Sequence, residues 1–150
     1  MKLPALKALL DYRNDTVIRA FCVEQDYSQT KGQQVFTDLL AWLWLNAYRQ
    51  IHHQKMTYLF GPLLLLDKMW HTFILHTQDY YGFCLQYFKE YFHHHVEPIG
   101  HEYVLSPDEL ATFLHDAFEH LGEQWVHRQF GPLYGTSPTH ANVEDSVSSV

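Results

Sequence analysis

The chain has 150 residues, 47% of them hydrophobic and 18% charged, and a formal net charge of −7. That is the composition of one globular domain and not of a disordered chain. The acidic balance argues against a nucleic-acid partner, since phosphate neutralisation needs a basic face. The longest apolar run, Leu39 to Leu45, is far short of the ~20 residues that span a bilayer, so no membrane association is expected.

Two cysteines, Cys22 and Cys84, cannot build a disulfide framework. The start of the chain shows no signal-peptide core. A cytoplasmic, reduced protein is the expected class. The 12 histidines outnumber lysine and arginine together, so the net charge should respond to pH near neutrality and metal ligands are plentiful.

Apolar spacing is helical throughout, with no sustained strand period, and predicts an all-α fold. The expectation is a compact single-domain bundle of five to seven helices over residues 1–130, with a mobile tail over 131–150. A short first helix spans Pro4–Leu10. A second starts at Asn14 or Asp15, either of which can cap it, and reaches Glu24, with Val17, Ile18, Phe21 and Cys22 on one side. Ser28 to Gly32 reads as a loop.

The third helix runs from Gln33 to His52. Its broad stripe of Phe36, Leu39, Leu40, Leu43, Trp44, Ala47, Tyr48 and Ile51 marks a central helix. The stretch from His53 to Pro62 is irregular. A fourth helix covers Leu63–Leu75 and a fifth Gln78–Phe92, with Thr77 as the cap between them. One unbroken helix through 76–78 is the competing reading.

Residues 93–105 connect to a sixth helix. There Ser106, Pro107 and Glu109 form a strong start signal, and the helix runs to Leu121. Gly122 ends or kinks it, and a short continuation spans Trp125–Gln129. Asp116 with His120, and Glu123 with His127, read as surface pairs one helical turn apart.

The stretch most able to carry chemistry lies between Leu63 and Gly100. Asp67 and His71 share a helix face, as do Tyr80 and Cys84. If the chain reverses at 76–78, His71 and Cys84 come to nearly the same height, and His93, His94 and His95 return near Asp67. Asp67, His71 and Cys84, completed by His94 or His95, then form a transition-metal site for Zn or Fe. Alternatively Asp67 stands behind the ligands and holds an imidazole N–H. The bland alternative is core packing, with Cys84 a small buried hydrophobe and the His run a helix end favoured by the dipole. No phosphate-binding loop or nucleophile elbow is present.

The residues from Leu66 to Tyr80, with Asp67-x-x-Trp70-His71 and Thr77-x-x-Tyr80, then Cys84, then His94-His95 ahead of Pro98, resemble the small bacterial members of the glycine-rich domain-containing protein-like family. The resemblance implies that Asp67, Trp70, His71, Tyr80, Cys84, His94 and His95 form one polar set, and it implies no particular reaction. Many relatives carry a second histidine where this chain has Phe73, so no His-x-His pair is implied here. Two readings follow: a metal or polar ligand site acting on a small molecule, or a protein–protein interaction module whose motif is a structural hydrogen-bond network.

Overall fold

A computed structural model describes residues 1–53, 59–95 and 104–131. Among these residues there are seven α-helices, one 3-10 turn and no strand: α1 (Leu6–Leu10), α2 (Asp15–Gln25), α3 (Gln29–His53), the turn Gly61–Leu63, α4 (Leu64–Leu75), α5 (Thr77–Phe88), α6 (Pro107–Leu121) and α7 (Glu123–Phe130). The all-α expectation holds. The expected tail lies outside the described residues beyond Gly131, as do parts of the expected connections at 53–62 and 93–105.

α3 is the central element. Residues 38–47 are buried without interruption, and about three turns of helix therefore offer no face to solvent. Helices α1, α2, α4 and α6 pack on it. A helix buried on every side must pair its charged side chains, because an unmatched charge in a core is costly. Asp38 accepts from Gln34 (3.1 Å), from Gln129 (2.9 Å) and from both Nε and Nη2 of Arg128 (3.0 and 2.8 Å). Its carbonyl also accepts from the Trp125 indole at 3.1 Å, which fastens α7 to α3. Eleven residues on, Arg49 donates to Asp116 of α6 at 2.8 Å, with both side chains buried.

The last contact corrects the surface reading of Asp116. It points inward to Arg49, while the His120 ring lies 4.2 Å from that of Tyr48. Glu123 and His127 are exposed as expected. Among the described residues no helix is long and apolar enough to cross a membrane.

Local signals explain most helix ends. Asn14 caps α2 by accepting from Val17 N, and its amide also donates to Asp79 in the first turn of α5. Ser106 and Glu109 form the reciprocal capping box of α6. Gly122, at φ 92°, separates α6 from α7.

The stretch Ser28 to Gly32 is not a loop. Ser28 Oγ accepts from Lys31 N, and α3 is already helical at Gln29. Gly32 serves packing rather than turning: a Cβ there would stand 2.2 Å from Cys22 Sγ and 3.3 Å from Ile18 Cγ2 of α2. Two helices can approach this closely only where one contributes no side chain.

Gly32→Ala is accordingly expected to destabilise the protein by about 1–3 kcal/mol, as overpacking does, despite the better helix propensity of alanine. Cys22→Ala removes the sulfur that the new methyl would meet. In urea denaturation the double variant should therefore cost less than the two single losses added together. Strict additivity would show that the Gly32–Cys22 approach does not limit the packing.

Candidate metal centre

The break between α4 and α5 is a single residue. His76 takes φ −84°, ψ 69°, its ring Nδ1 lies 2.8 Å from the Thr72 carbonyl, and its own carbonyl accepts from Tyr80 N to start α5. The expected break is present, with His76 rather than Thr77 at the cap position and Thr77 as the first helical residue. In a straight helix Trp70 and Tyr80 would be ~15 Å apart. Here Trp70 Nε1 donates to the Tyr80 hydroxyl at 2.9 Å, and the Phe73 and Phe83 rings are 5.1 Å apart.

Across this one-residue corner α4 and α5 pack on each other. The chain comes back to α4 a second time after α5 has ended. Lys89 adopts the left-handed conformation (φ 63°) and stops α5 at Phe88, short of the expected Phe92. The segment that follows recrosses α4: Phe92 packs edge-on against Trp70, and the His94 ring lies 4.3 Å from the Trp70 ring. The Tyr80 hydroxyl donates to the Phe92 carbonyl at 2.5 Å. It thus accepts from α4 and donates to the returning segment.

This path brings three of the expected ligands together. Ligand atoms of Asp67, His71 and His94 all lie within 4.8 Å of one another. His94 Nε2 is 2.6 Å from Asp67 Oδ1, and His71 Nε2 is 3.6 Å from the same oxygen. The two imidazole rings stand 4.6 Å apart. The side chains grade from covered to open: His94 is 12% exposed, Asp67 21% and His71 54%. His94 has no nitrogen free for a substrate, because Nε2 faces Asp67 and Nδ1 is buried with no hydrogen-bond partner.

Cys84 and His95 stand outside this group. His95 is exposed, as is His93, whose ring packs on Tyr91 at 4.7 Å. Cys84 is fully buried on α5. His71 faces solvent while Cys84 faces the interior, where it meets Tyr80 and the Phe92 backbone instead. Burial pushes its thiol up from the ordinary 9.0, the opposite of what a thiolate ligand needs. Burial likewise raises the Tyr80 phenol, with Cys84 adding to the effect.

A second acid–imidazole group, His115, Asp116 and Glu119, lies on α6. Its only buried member, Asp116, is engaged by Arg49, and the other two are exposed. The role of the Phe92 carbonyl was not legible beforehand, since a backbone acceptor leaves no trace in residue type. Trp70 and Tyr80 were visible as motif residues, but not as a bonded pair.

Comparison with protein-family models, with curated proteins and with solved structures finds no match for this chain.

The buried phenol and thiol set a pH expectation. Each is held neutral in the folded protein beyond its ordinary value of 10.0 or 9.0. The native state therefore keeps protons that the unfolded state releases, and stability falls as pH rises. This contribution is fully present below about pH 9 and is lost as pH climbs through 9–10 toward the raised values. Chemical denaturation between pH 8 and 11 should show the decline, and Tyr80→Phe should flatten part of it. An unchanged slope in that variant would place the titration elsewhere.

Proposed function

We propose that this protein binds a divalent transition metal through Asp67, His71 and His94. The observation that carries the reading is the approach of one carboxylate and two imidazoles within 4.8 Å. Ligands ~2.1 Å from a zinc ion in tetrahedral array stand about 3.4 Å apart. The 3.6 Å between Asp67 and His71 is close to that spacing, and the 2.6 Å between Asp67 and His94 needs a small opening.

Two imidazoles with one carboxylate suit Zn²⁺ or Fe²⁺ and leave coordination positions open. His71 is the exposed member, so those positions face solvent on its side. A metal held this way activates water or orients a small polar substrate. Family membership among the glycine-rich domain-containing protein-like proteins is part of this proposal and rests on the motif residues between Leu66 and His95. A cytoplasmic location is also part of it, supported by the free thiols of Cys22 and Cys84.

The second reading is a protein-interaction module. It is favoured by the Trp70–Tyr80–Phe92 hydrogen bonds, which lock the motif without any ion, and by Tyr81 and Leu85, exposed one turn apart on α5.

Metal analysis of protein purified without a histidine tag decides between them. One equivalent of Zn²⁺ or Fe²⁺ is expected. Zn²⁺ at a hundred times its Kd should stabilise the fold by about 2.7 kcal/mol. His71→Ala and His94→Ala should abolish that gain, while Cys84→Ala keeps it on a less stable fold. Absence of stoichiometric metal, together with an unaltered thermal midpoint when Zn²⁺ is added, leaves the interaction module as the surviving reading.

A further inference from the structure

We infer that Tyr80 is a positioning residue whose hydroxyl sets His94 against Asp67 and His71. This rests on the metal reading for its purpose but not for its geometry. The candidate ligands come from two pieces of chain. Asp67 and His71 are one turn apart on α4 and need only helix geometry to stand together. His94 lies on a segment that is not helical, six residues beyond the end of α5. Something other than regular backbone hydrogen bonding must hold it in register.

The Tyr80 hydroxyl meets that need. It donates to the carbonyl of Phe92, two residues before His94, and it accepts from the indole of Trp70, which lies between Asp67 and His71 in sequence. One buried oxygen therefore ties the return segment to the helix carrying the other two groups. The Trp70 ring completes the arrangement by lying 4.3 Å from the His94 ring. Two residues of extended chain span ~6.6 Å, comparable to the ~5.4 Å helical pitch between Asp67 and His71. A one-residue slip at Phe92 would displace the segment by ~3.3 Å, a distance comparable to the 4.8 Å within which the three ligand atoms lie.

A hydroxyl that only filled space would have no reason to bond both strands of this arrangement. Tyr80 is fully buried, its bond from the indole is of ordinary length at 2.9 Å, and its bond to the Phe92 carbonyl is short at 2.5 Å. Removing such support behind a metal ligand typically lowers metal affinity by about 10–100-fold. Cys84 packs beside the phenol and also meets the Phe92 backbone, but unlike Tyr80 it makes no bond to α4 at Trp70, and it stands outside the Asp67–His71–His94 group.

The test uses the full chain and Co²⁺ as the probe, read by its visible absorption, with nuclear Overhauser contacts between the His94 and His71 rings measured on the metal-free protein. Tyr80→Phe deletes one oxygen and keeps the ring. It should weaken Co²⁺ binding by about 10–100-fold, alter the absorption bands and weaken the His94–His71 ring contact. Tyr81→Phe, an exposed neighbour on the same helix, should change none of these. Unaltered Co²⁺ affinity and an unaltered ring contact in Tyr80→Phe would overturn the positioning role while leaving the metal reading intact. If the parent protein takes up no Co²⁺, the metal reading falls, and the ring contact alone decides whether Tyr80 places His94. Should Tyr80→Phe fail to fold, Trp70→Phe removes the donor to the phenol. It is then expected to weaken both readouts in the same direction, and no change in either would equally overturn the inference.

Discussion

Convergence of the site depends on one hydrogen-bonded oxygen. The Tyr80 hydroxyl takes the Trp70 N–H and gives its own proton to the Phe92 carbonyl, so three separate stretches of chain meet at a single buried atom. Neither partner could be left alone cheaply. A buried polar group without a partner costs roughly 1–3 kcal/mol, and this arrangement pairs an indole N–H, a phenol and a backbone carbonyl at once. The surrounding Phe73, Phe83, Phe88 and Phe92 are buried, which excludes water as a substitute partner. The corner at His76 and the return after Lys89 are thereby held by chemistry that is specific in direction, where aromatic packing alone would tolerate sliding.

The same logic organises the packing around α3. α3 is so thoroughly covered that Asp38 and Arg49 are enclosed, and each is answered from a helix far along the chain: Asp38 by Arg128 and Gln129, Arg49 by Asp116. Hydrophobic burial supplies the drive for packing around α3, but apolar contact is indifferent to rotation of one helix about another. The charged pairs remove that freedom, because a shifted register would strand a buried ion. Removing one partner of a buried pair commonly costs about 3–5 kcal/mol, which is more than most single apolar contacts contribute.

Much of this was legible in sequence wherever the signal was local. Asn14, Ser106 with Glu109, and Gly122 mark helix ends through side-chain or backbone properties that act within four residues, and the helix boundaries fall there. The break after Leu75 was legible for the same reason. Gly32 misled because glycine has two uses: it relaxes the backbone, which suggested a loop, and it removes a side chain, which is what α2 requires of α3. Only the second element reveals which use applies. Cys84 illustrates the limit of height arguments. Counting residues on either side of a reversal gives the height of a side chain but not the face it lies on: His71 is exposed, Cys84 is fully buried, and the later segment supplies the third group of the cluster. His94 was expected near Asp67 and is found there, by way of an extended path and not a longer helix.

The composition of the Asp67 cluster bears on what it is suited to hold. A single carboxylate oxygen faces one imidazole nitrogen at hydrogen-bond distance and a second at 3.6 Å, beyond it. A proton shared with Asp67 satisfies His94 and leaves His71 without a bond to the pair. A divalent cation accepts lone pairs from all three groups together, because coordination is not limited to two partners as a proton's is. What orients the His94 ring is the Trp70 ring, 4.3 Å away, because its buried Nδ1 has no hydrogen-bond partner. An enclosed imidazole, a half-shielded carboxylate and an exposed imidazole make a graded set. On the proposed metal reading, an ion would be held by these three side chains and would meet solvent on the His71 side, as a centre with open coordination positions requires.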